Sequence, residues 1–313
     1  MKPSISVIVP TFNRASLVVR TLDSIAAQTE SPDRLIVVDN NSTDGTMQIV
    51  ERWMRLYNGP METTLLMESK PGAAAARDRG LADADTDVVC FFDSDDEMRP
   101  AMIKTIRREF EVEPDLELLH WPVFLHPLSG KPRKLKSSPD ADMGFQIFHS
   151  FLGTQRFAAK RDLIIKVGGW NHNLTSWDDW ELGIRLLLTR PFIKGYRNVL
   201  ADIHAREKSI TGTSFHSNAE KIELAIRHAE TAVKNSRHPE RYRFLRLIRI
   251  RKAILAGTYF HEGYPIDGQR LLSETIKEAG SLRHSRLTAM LCRVAAIQTA
   301  VIRRGAAEWA RLI

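Results

Sequence analysis

The strongest constraint on how this chain folds is an alternation of two kinds of segment along its N-terminal third. Short β-branched or apolar runs, SISVIVP (4–10), RLIVVDN (34–40), TTLLMES (63–69) and DVVCFFD (87–93), are each bounded by turn or charged residues, and helix-like segments lie near 15–28, 44–57 and 72–83. This βαβαβαβ order predicts a parallel sheet covered by helices on both faces. Ligands of such sheets bind beyond the carboxyl ends of the strands, where the βα loops gather. Here those loops are PTFNR, DNNSTDGT, ESKPGAAAAR and DSDDEMRP.

Beyond residue 98 the pattern loosens. The sequence predicts a helix over 99–113, a strand over 116–126, a mobile Pro, Ser and Lys-rich connection over 127–140, a mixed stretch over 156–170, a helix over 178–190 and a short strand ending near His204. After 215 the chain reads as entirely helical, with segments near 216–236, 239–262, 266–279 and 283–311.

Composition narrows the class. At 313 residues, 43% hydrophobic and 27% charged, the chain can bury a core of ordinary size. Cys90 and Cys292 are far apart in apolar surroundings, which points to neither a disulfide framework nor a zinc site and fits a reduced compartment. With no signal-peptide pattern and no uninterrupted apolar run of 18 residues, the expected location is cytoplasmic. The net charge of +7 is uneven, because residues 215–313 hold 18 Lys and Arg against 9 Asp and Glu. A basic tail of this kind suits an anionic surface or partner, and equally a solvated helical face.

The chemistry gathers in the loops. PTFNR has no glycine, so the first βα turn is not a dinucleotide fingerprint. Thr11, Asp39, Arg77, Asp93 and Asp95 would instead converge on one edge of the sheet. Asp39, at a strand end, can accept hydrogen bonds from a base imide or a ribose hydroxyl, or serve as an Asx turn. The cluster Asp93, Asp95, Asp96 and Glu97 needs positive charge or water among its members. An Asp-x-Asp loop supplies hard oxygen ligands for Mg²⁺ or Mn²⁺ shared with substrate phosphates; its bland reading is a solvated loop with one helix cap.

Taken together and in this order, VIVPTFNR, IVVDNNSTDGT, PGAAAARDRG and CFFDSDD resemble glycosyltransferase family 2, over roughly residues 4–206. The resemblance implies an inverting nucleotide-sugar transferase of GT-A fold: α/β, with a mixed, mainly parallel sheet flanked by helices, and here an all-helical C-terminal extension. Residues 1–98 would be the nucleotide-sugar-binding half, 99–214 the acceptor-binding half and 215–313 the basic helical extension. By the same resemblance Thr11, Arg14, Asp39, Arg77 and Asp93 would hold the nucleotide, a UDP-sugar by default, and Asp95 the metal, Mn²⁺ or Mg²⁺. Asp96 is its neighbour in the acidic loop.

GGWNHNLTSWDDWELGIRL (168–186) resembles the acceptor-side segment of the family, which ends in a Glu-Asp pair. Here the pair is Asp178-Asp179, so Asp179 matches the catalytic base and the change to Asp at 178 alters the supporting position. Inversion needs such a carboxylate, since the acceptor hydroxyl loses its proton as it attacks the anomeric carbon. At a helix start Asp179 is expected to stay ionised; the bland reading is that both acids merely stabilise that helix end. Trp170 and Trp177 are candidates for the acceptor, Trp177 first, while Trp180 reads as packing. His204 is a candidate metal ligand, with Arg206 and Lys208 as alternatives that would face the leaving diphosphate.

In 283–311, Arg286, Arg293, Arg304 and Arg311 form one stripe, and Leu287, Val294, Val301 and Leu312 the neighbouring face. Such a helix either lies on an anionic membrane, as suits a saccharide or lipid-linked acceptor, or packs its apolar face on the catalytic domain. Packing is the preferred expectation. No nucleic acid partner is expected. A nucleotidyltransferase and a non-catalytic interaction protein using the tail remain as alternative classes.

Overall fold

The computed structural model describes residues 2–138, 140–206, 215–280 and 285–302. Its centre is a seven-stranded sheet. In chain order it is built from β1 (Ile5–Thr11), β2 (Arg34–Asp39), β3 (Glu62–Met67), β4 (Val88–Phe91), then β6 (Leu118–His120), β9 (Phe157–Lys160) and β10 (Ile193–Gly195). The spatial order is β10-β6-β9-β4-β1-β2-β3, and β9 runs antiparallel to both neighbours while the other pairings are parallel. A smaller sheet, ordered β5-β11-β7-β8, is formed by β5 (Glu97–Met98), β7 (Val123–His126), β8 (Arg133–Leu135) and β11 (Ala201–His204).

The alternation in the sequence thus becomes a mainly parallel sheet. All seven residues of β1 are buried, as expected of a strand covered on both faces. Helices α1 (Val18–Ala26), α2 (Thr46–Leu56) and α3 (Ala73–Asp83) connect the first four strands. On α3 the small residues matter. A Cβ at Gly80 would stand 2.4 Å from Cγ2 of Ile8, so the helix lies closer to β1 than any larger residue would allow.

The pairing of β1 with β4 ends at Ile8, whose carbonyl accepts from the Phe92 amide, whereas the pairing with β2 continues to Thr11 opposite Asp39. Pro10 falls beyond the end of the β4 ladder, where its missing N–H costs no strand bond. The two strands part there, and the loops after β1, β2 and β4 surround the gap.

The second half differs in detail from the sequence reading. The strand predicted over 116–126 is broken at Trp121-Pro122 into β6 and β7, which enter different sheets, since Pro122 cannot donate to a ladder. The connection predicted to be mobile, 127–140, contains β8, paired antiparallel to β7. α4 (Met102–Val112), α5 (Met143–His149), α6 (Arg161–Lys166) and α7 (Asp178–Leu188) complete this half. Four helices follow: α8 (Phe215–Asn235), α9 (Arg241–His261), α10 (Pro265–Ala279) and α11 (Ser285–Ile302).

α11 packs its predicted apolar face only in part, with Val294 against the core but Leu287 and Val301 exposed. It lies on α9 through small buried residues, Cys292, Ala295 and Ala296, with Gly257 of α9 facing Ala296 and Thr299 at close range. Leu287, Met290, Ile297 and Val301 are left exposed beside Arg286 and Arg293. Close approach of two backbones outweighs burial of the larger side chains. Arg304, Arg311 and Leu312 lie outside the described residues. Both cysteines are free and buried, and among the described residues no helix is long and apolar enough to cross a membrane.

Candidate active site

The acidic loop after β4 and the start of α7 are joined by one arginine. Arg77, buried on α3, donates from Nη2 to Asp93 Oδ1 at 2.8 Å and from Nη1 to Asp178 Oδ2 at 2.7 Å. Burial alone would lower its pKa, but Asp93 and Asp178 outweigh that and raise it above the ordinary value. Gln155, in the short 3-10 turn Thr154–Arg156, donates to both Asp93 and Asp96. The loops from both halves of the chain are therefore tied into one cleft at the carboxyl edge of the sheet.

The acid cluster is balanced by arginines. Asp95 Oδ2 meets Arg14 Nε at 3.3 Å and Arg206 Nε at 3.1 Å. Its pKa is nonetheless raised, because burial and Asp93 outweigh the two cations. Asp96, 3% exposed, is pushed well above the usual range by burial and by Asp93 and Asp95. It accepts from the His204 amide at 2.8 Å and so holds the β11 end in place.

At the β1–β2 side, Asp39 spends one oxygen on the Asx turn, accepting from Ser42 N at 3.0 Å, while buried Oδ1 has no partner. Beside it across the strand pair, buried Thr11 Oγ1 is also without a partner. Two adjacent unsatisfied polar atoms at a cleft are a reason to look for a ligand. One oxygen thus forms the Asx turn and the other is left over. Asn13 and Asp44 lace the first two loops together, with Thr43 N donating to Asn13 Oδ1 and Ala15 N to Asp44 Oδ2. Phe12, between them, is 53% exposed.

Asp179 sits in the first turn of α7. It accepts from Trp180 N at 2.7 Å through Oδ1. Enclosure and the neighbouring charge of Asp178 push its pKa up to about 6, against the pull of Arg77. The helix start therefore does not hold Asp179 at an ordinary carboxylate value, as its position in the sequence suggested, although a pKa of about 6 leaves it mostly ionised at neutral pH. Arg156 lies nearby, its Nη atoms given to the Ser150 and Lys136 carbonyls, and burial pushes its pKa down to about 10.

The two tryptophans part company. Trp170 is 2% exposed, with Arg77 Cζ 4.3 Å from its ring centroid and Phe91 edge-on at 5.1 Å. It is a floor beneath Arg77 and offers no ring face to an acceptor, which corrects the expectation for this residue. Its place is set by Asp78, which accepts from Trp170 N; a Cβ at Gly169 (φ +67°) would run into that carboxylate at 2.6 Å. Trp177 is half-buried and adopts a left-handed backbone (φ +59°) as it leads into Asp178.

His204 ends β11, as expected from the sequence. Its ring pairs with Glu97 at 2.9 Å and stacks on His126 at 4.7 Å, and burial together with Arg20 lowers its pKa. Asp95 is thus held by two arginines and the His204 ring by Glu97. Among the described residues no group of three or more His, Cys, Asp and Glu is placed to hold a metal. Gln155, Arg156 and Asp78 were not singled out in the sequence, since each acts through a partner distant along the chain. Lys208 lies outside the described residues.

A sheet of this order, with one reversed strand and a carboxyl-edge cleft floored by paired acids and arginines, has the GT-A type of fold. The structure is similar to that of S. aureus TarS 1–349 in complex with UDP-GlcNAc, with a TM-score of 0.73, 20% identity, and coverage of 95% of this chain and 89% of that one. It is also similar to the mannosyltransferase PcManGT from Pyrobaculum calidifontis in complex with GDP-Man and Mn²⁺, with a TM-score of 0.58, 18% identity and 97% and 88% coverage.

The family described as Glycosyl transferase family 2 matches residues 6–166, and the chain belongs to it. An uncharacterized glycosyltransferase of Haemophilus influenzae is 23% identical over 241 residues, 75% of this chain and 80% of that protein. Glycosyltransferase GlyG of Streptococcus pneumoniae is 32% identical over 111 residues, 36% of each chain. The amylovoran biosynthesis glycosyltransferase AmsB of Erwinia amylovora is 35% identical over 94 residues, 31% of that protein. The last two matches thus span about a third of their partners.

Proposed function

We propose that the chain is an inverting glycosyltransferase that moves a single sugar from a nucleotide-diphosphate sugar to a hydroxyl of a saccharide or lipid-linked acceptor. The observation that supports this reading is the Arg77 bridge, which joins Asp93, assigned here to the donor, to Asp178, next to Asp179 and assigned here to the acceptor side. The nucleoside is received at the β1–β2 edge. The free Oδ1 of Asp39 and Thr11 Oγ1 answer to a base imide and exocyclic oxygen, and exposed Phe12 suits stacking on the base. Uridine is the base we assign, in keeping with the UDP-GlcNAc held by TarS.

Asp93 receives the ribose, and Arg14 and Arg206 face the diphosphate from either side of Asp95. In the displacement the acceptor oxygen bonds to the anomeric carbon as the bond from that carbon to the diphosphate oxygen breaks, and the hydroxyl proton passes to Asp179. A carboxylate whose pKa is about 6 is a better proton acceptor than an ordinary one and is still ionised at neutral pH. Fixed cations around the departing diphosphate need no reorganisation as its charge grows.

Mg²⁺ or Mn²⁺ fits this site through Asp95. The carboxyl of Asp95 stays above its ordinary pKa even with two arginines beside it, so further positive charge would stabilise its ionised form. One carboxylate plus substrate phosphates and water is a sufficient set for Mg²⁺. A metal there would neutralise charge on the diphosphate. The exposed apolar and basic face of α11 we assign to peripheral contact with an anionic membrane.

Thermal shift of the protein with UDP, dTDP, GDP, CDP and ADP, each with and without Mn²⁺, tests the donor and metal assignments. A ligand that binds the native state raises its melting temperature. UDP should stabilise the wild type further when Mn²⁺ is added, and Asp95→Ala should lose that increment. If no nucleotide shifts the melt, the donor reading fails.

A further inference from the structure

Arg251, on α9, stands over the ring of Trp177, its Cζ 4.6 Å from the ring centroid, while Trp180 packs at 5.2 Å and 54° to the same indole. Its register explains the position. Phe244, Leu247 and Arg251 fall on one face of the helix, and Leu247 meets α5 close to Gly144. Arg251 therefore continues the packed face of α9 to the point where α7 begins.

This cation differs from the other enclosed arginines of the chain. Arg77 has two carboxylates, Arg107 has Asp33 and Glu30, Arg249 has Glu230, and Arg156 has two carbonyls. No hydrogen bond or ion pair joins Arg251 to a described residue, its Nε is buried without a partner, and burial alone pushes its pKa down to about 10. Enclosing a charge without a partner is costly, and an indole face offsets only part of that cost. The residue as a whole is half-buried, and of its guanidinium nitrogens only Nε is among the buried atoms without a partner.

We propose that Arg251 and Trp177 form an anion subsite at the start of α7, where Trp177 leads into the Asp178-Asp179 pair, and that it takes a phosphate or carboxylate carried by the acceptor near the hydroxyl that is glycosylated. The inference rests on the transferase reading for its acceptor, though not for its chemistry. The donor diphosphate has its own cations in Arg14, Arg77 and Arg206, grouped about Asp93 and Asp95. Arg251 is not one of them and lies instead on the ring of Trp177, which immediately precedes the acid pair. A planar guanidinium already oriented on an aromatic ring is suited to grip a phosphate or carboxylate with two parallel hydrogen bonds.

The test uses the full chain, ¹⁵N-labelled, with UDP present to fill the donor cations. Methyl phosphate, acetate and, as the neutral control, methanol are titrated while the Trp177 indole N–H is followed, its signal assigned from Trp177→Phe. The expected result is a saturable shift with at least one anion and none with methanol. Arg251→Met should weaken that anion by on the order of tenfold or more, the size of a lost charge-assisted hydrogen bond, and Arg251→Lys should keep part of the affinity. The stronger of the two anions names the group. A Trp177 signal unmoved by either anion, or moved equally in Arg251→Met, overturns the subsite. Separate failure of UDP to bind the wild type would count against the donor reading and leave the anion result to be judged by itself.

Discussion

Arg77 Nη1 lies 2.7 Å from Asp178 Oδ2, although 101 residues separate them in the chain. The same guanidinium holds Asp93, so the supporting acid of the proposed base and the proposed ribose ligand share one buried cation.

Removing that cation leaves two acids facing each other across an uncompensated site. Arg77→Met is therefore expected to lower stability by about 3 kcal/mol, the usual cost of breaking a buried pair, and to abolish transfer. Arg77→Lys keeps the charge but cannot span both carboxylates with two Nη donors, so it should recover stability in part and activity hardly at all. Urea denaturation together with a UDP-release assay decides the matter. Full activity in Arg77→Lys would show that the bridge is not needed.

The raised pKa of Asp179 carries two opposite consequences. As a base it must be deprotonated, so kcat/KM should rise with pH through about 6 and then level. For folding the sign is reversed. The native state holds this proton at a pH where the unfolded chain has lost it, so the contribution of Asp179 to stability falls as pH rises from the ordinary carboxylate range to about 6. Asp179→Asn should thus melt no lower than the wild type at neutral pH, while its kcat falls by about 10²- to 10⁴-fold. A variant that is both unstable and inactive would point to a structural role instead.

Much of this site was legible before the fold was known, because strand ends in a βα alternation are fixed by where apolar runs stop. Asp39 and Asp93 fall within two residues of β2 and β4 for that reason. What could not be read was the choice of partner. Nothing local to Asp95 tells that Arg14 and Arg206 neutralise it, and nothing in GGW distinguishes a tryptophan under Arg77 from one facing solvent. Those outcomes depend on how α3, the 3-10 turn and α7 meet. The same limit explains α11. A helical wheel ranks faces by hydrophobicity, whereas Cys292, Ala295 and Ala296 were buried because they let α11 approach Gly257.

The divided use of the Asp39 carboxylate allows a substitution that separates turn from ligand. Asp39→Asn keeps an oxygen for the Ser42 amide and puts an NH₂ where the unpartnered Oδ1 stands. A base imide would then meet a donor in place of an acceptor. UDP affinity should fall by about 1.5–3 kcal/mol, on the order of 10- to 100-fold, with little change in melting temperature. Calorimetric titration against UDP measures the first quantity and a thermal melt the second. Unchanged affinity would remove Asp39 from the nucleoside site.

The outer face of α11 makes a prediction that the catalytic cleft does not. Leu287, Met290, Ile297 and Val301, exposed beside Arg286 and Arg293, are arranged to bury apolar side chains below a layer of anionic headgroups and keep the guanidinium groups among them. Each basic residue near such a surface is worth about 1 kcal/mol. The protein should therefore sediment with phosphatidylglycerol vesicles and much less with phosphatidylcholine vesicles, and added salt should weaken the binding. Replacing both Arg286 and Arg293 by Glu should reduce it by on the order of tenfold or more, and Met290→Glu with Ile297→Glu should abolish it. These side chains point away from α9, so melting temperature should barely change in either variant. If the wild type does not distinguish the two lipids, the exposed face serves some contact other than an anionic membrane.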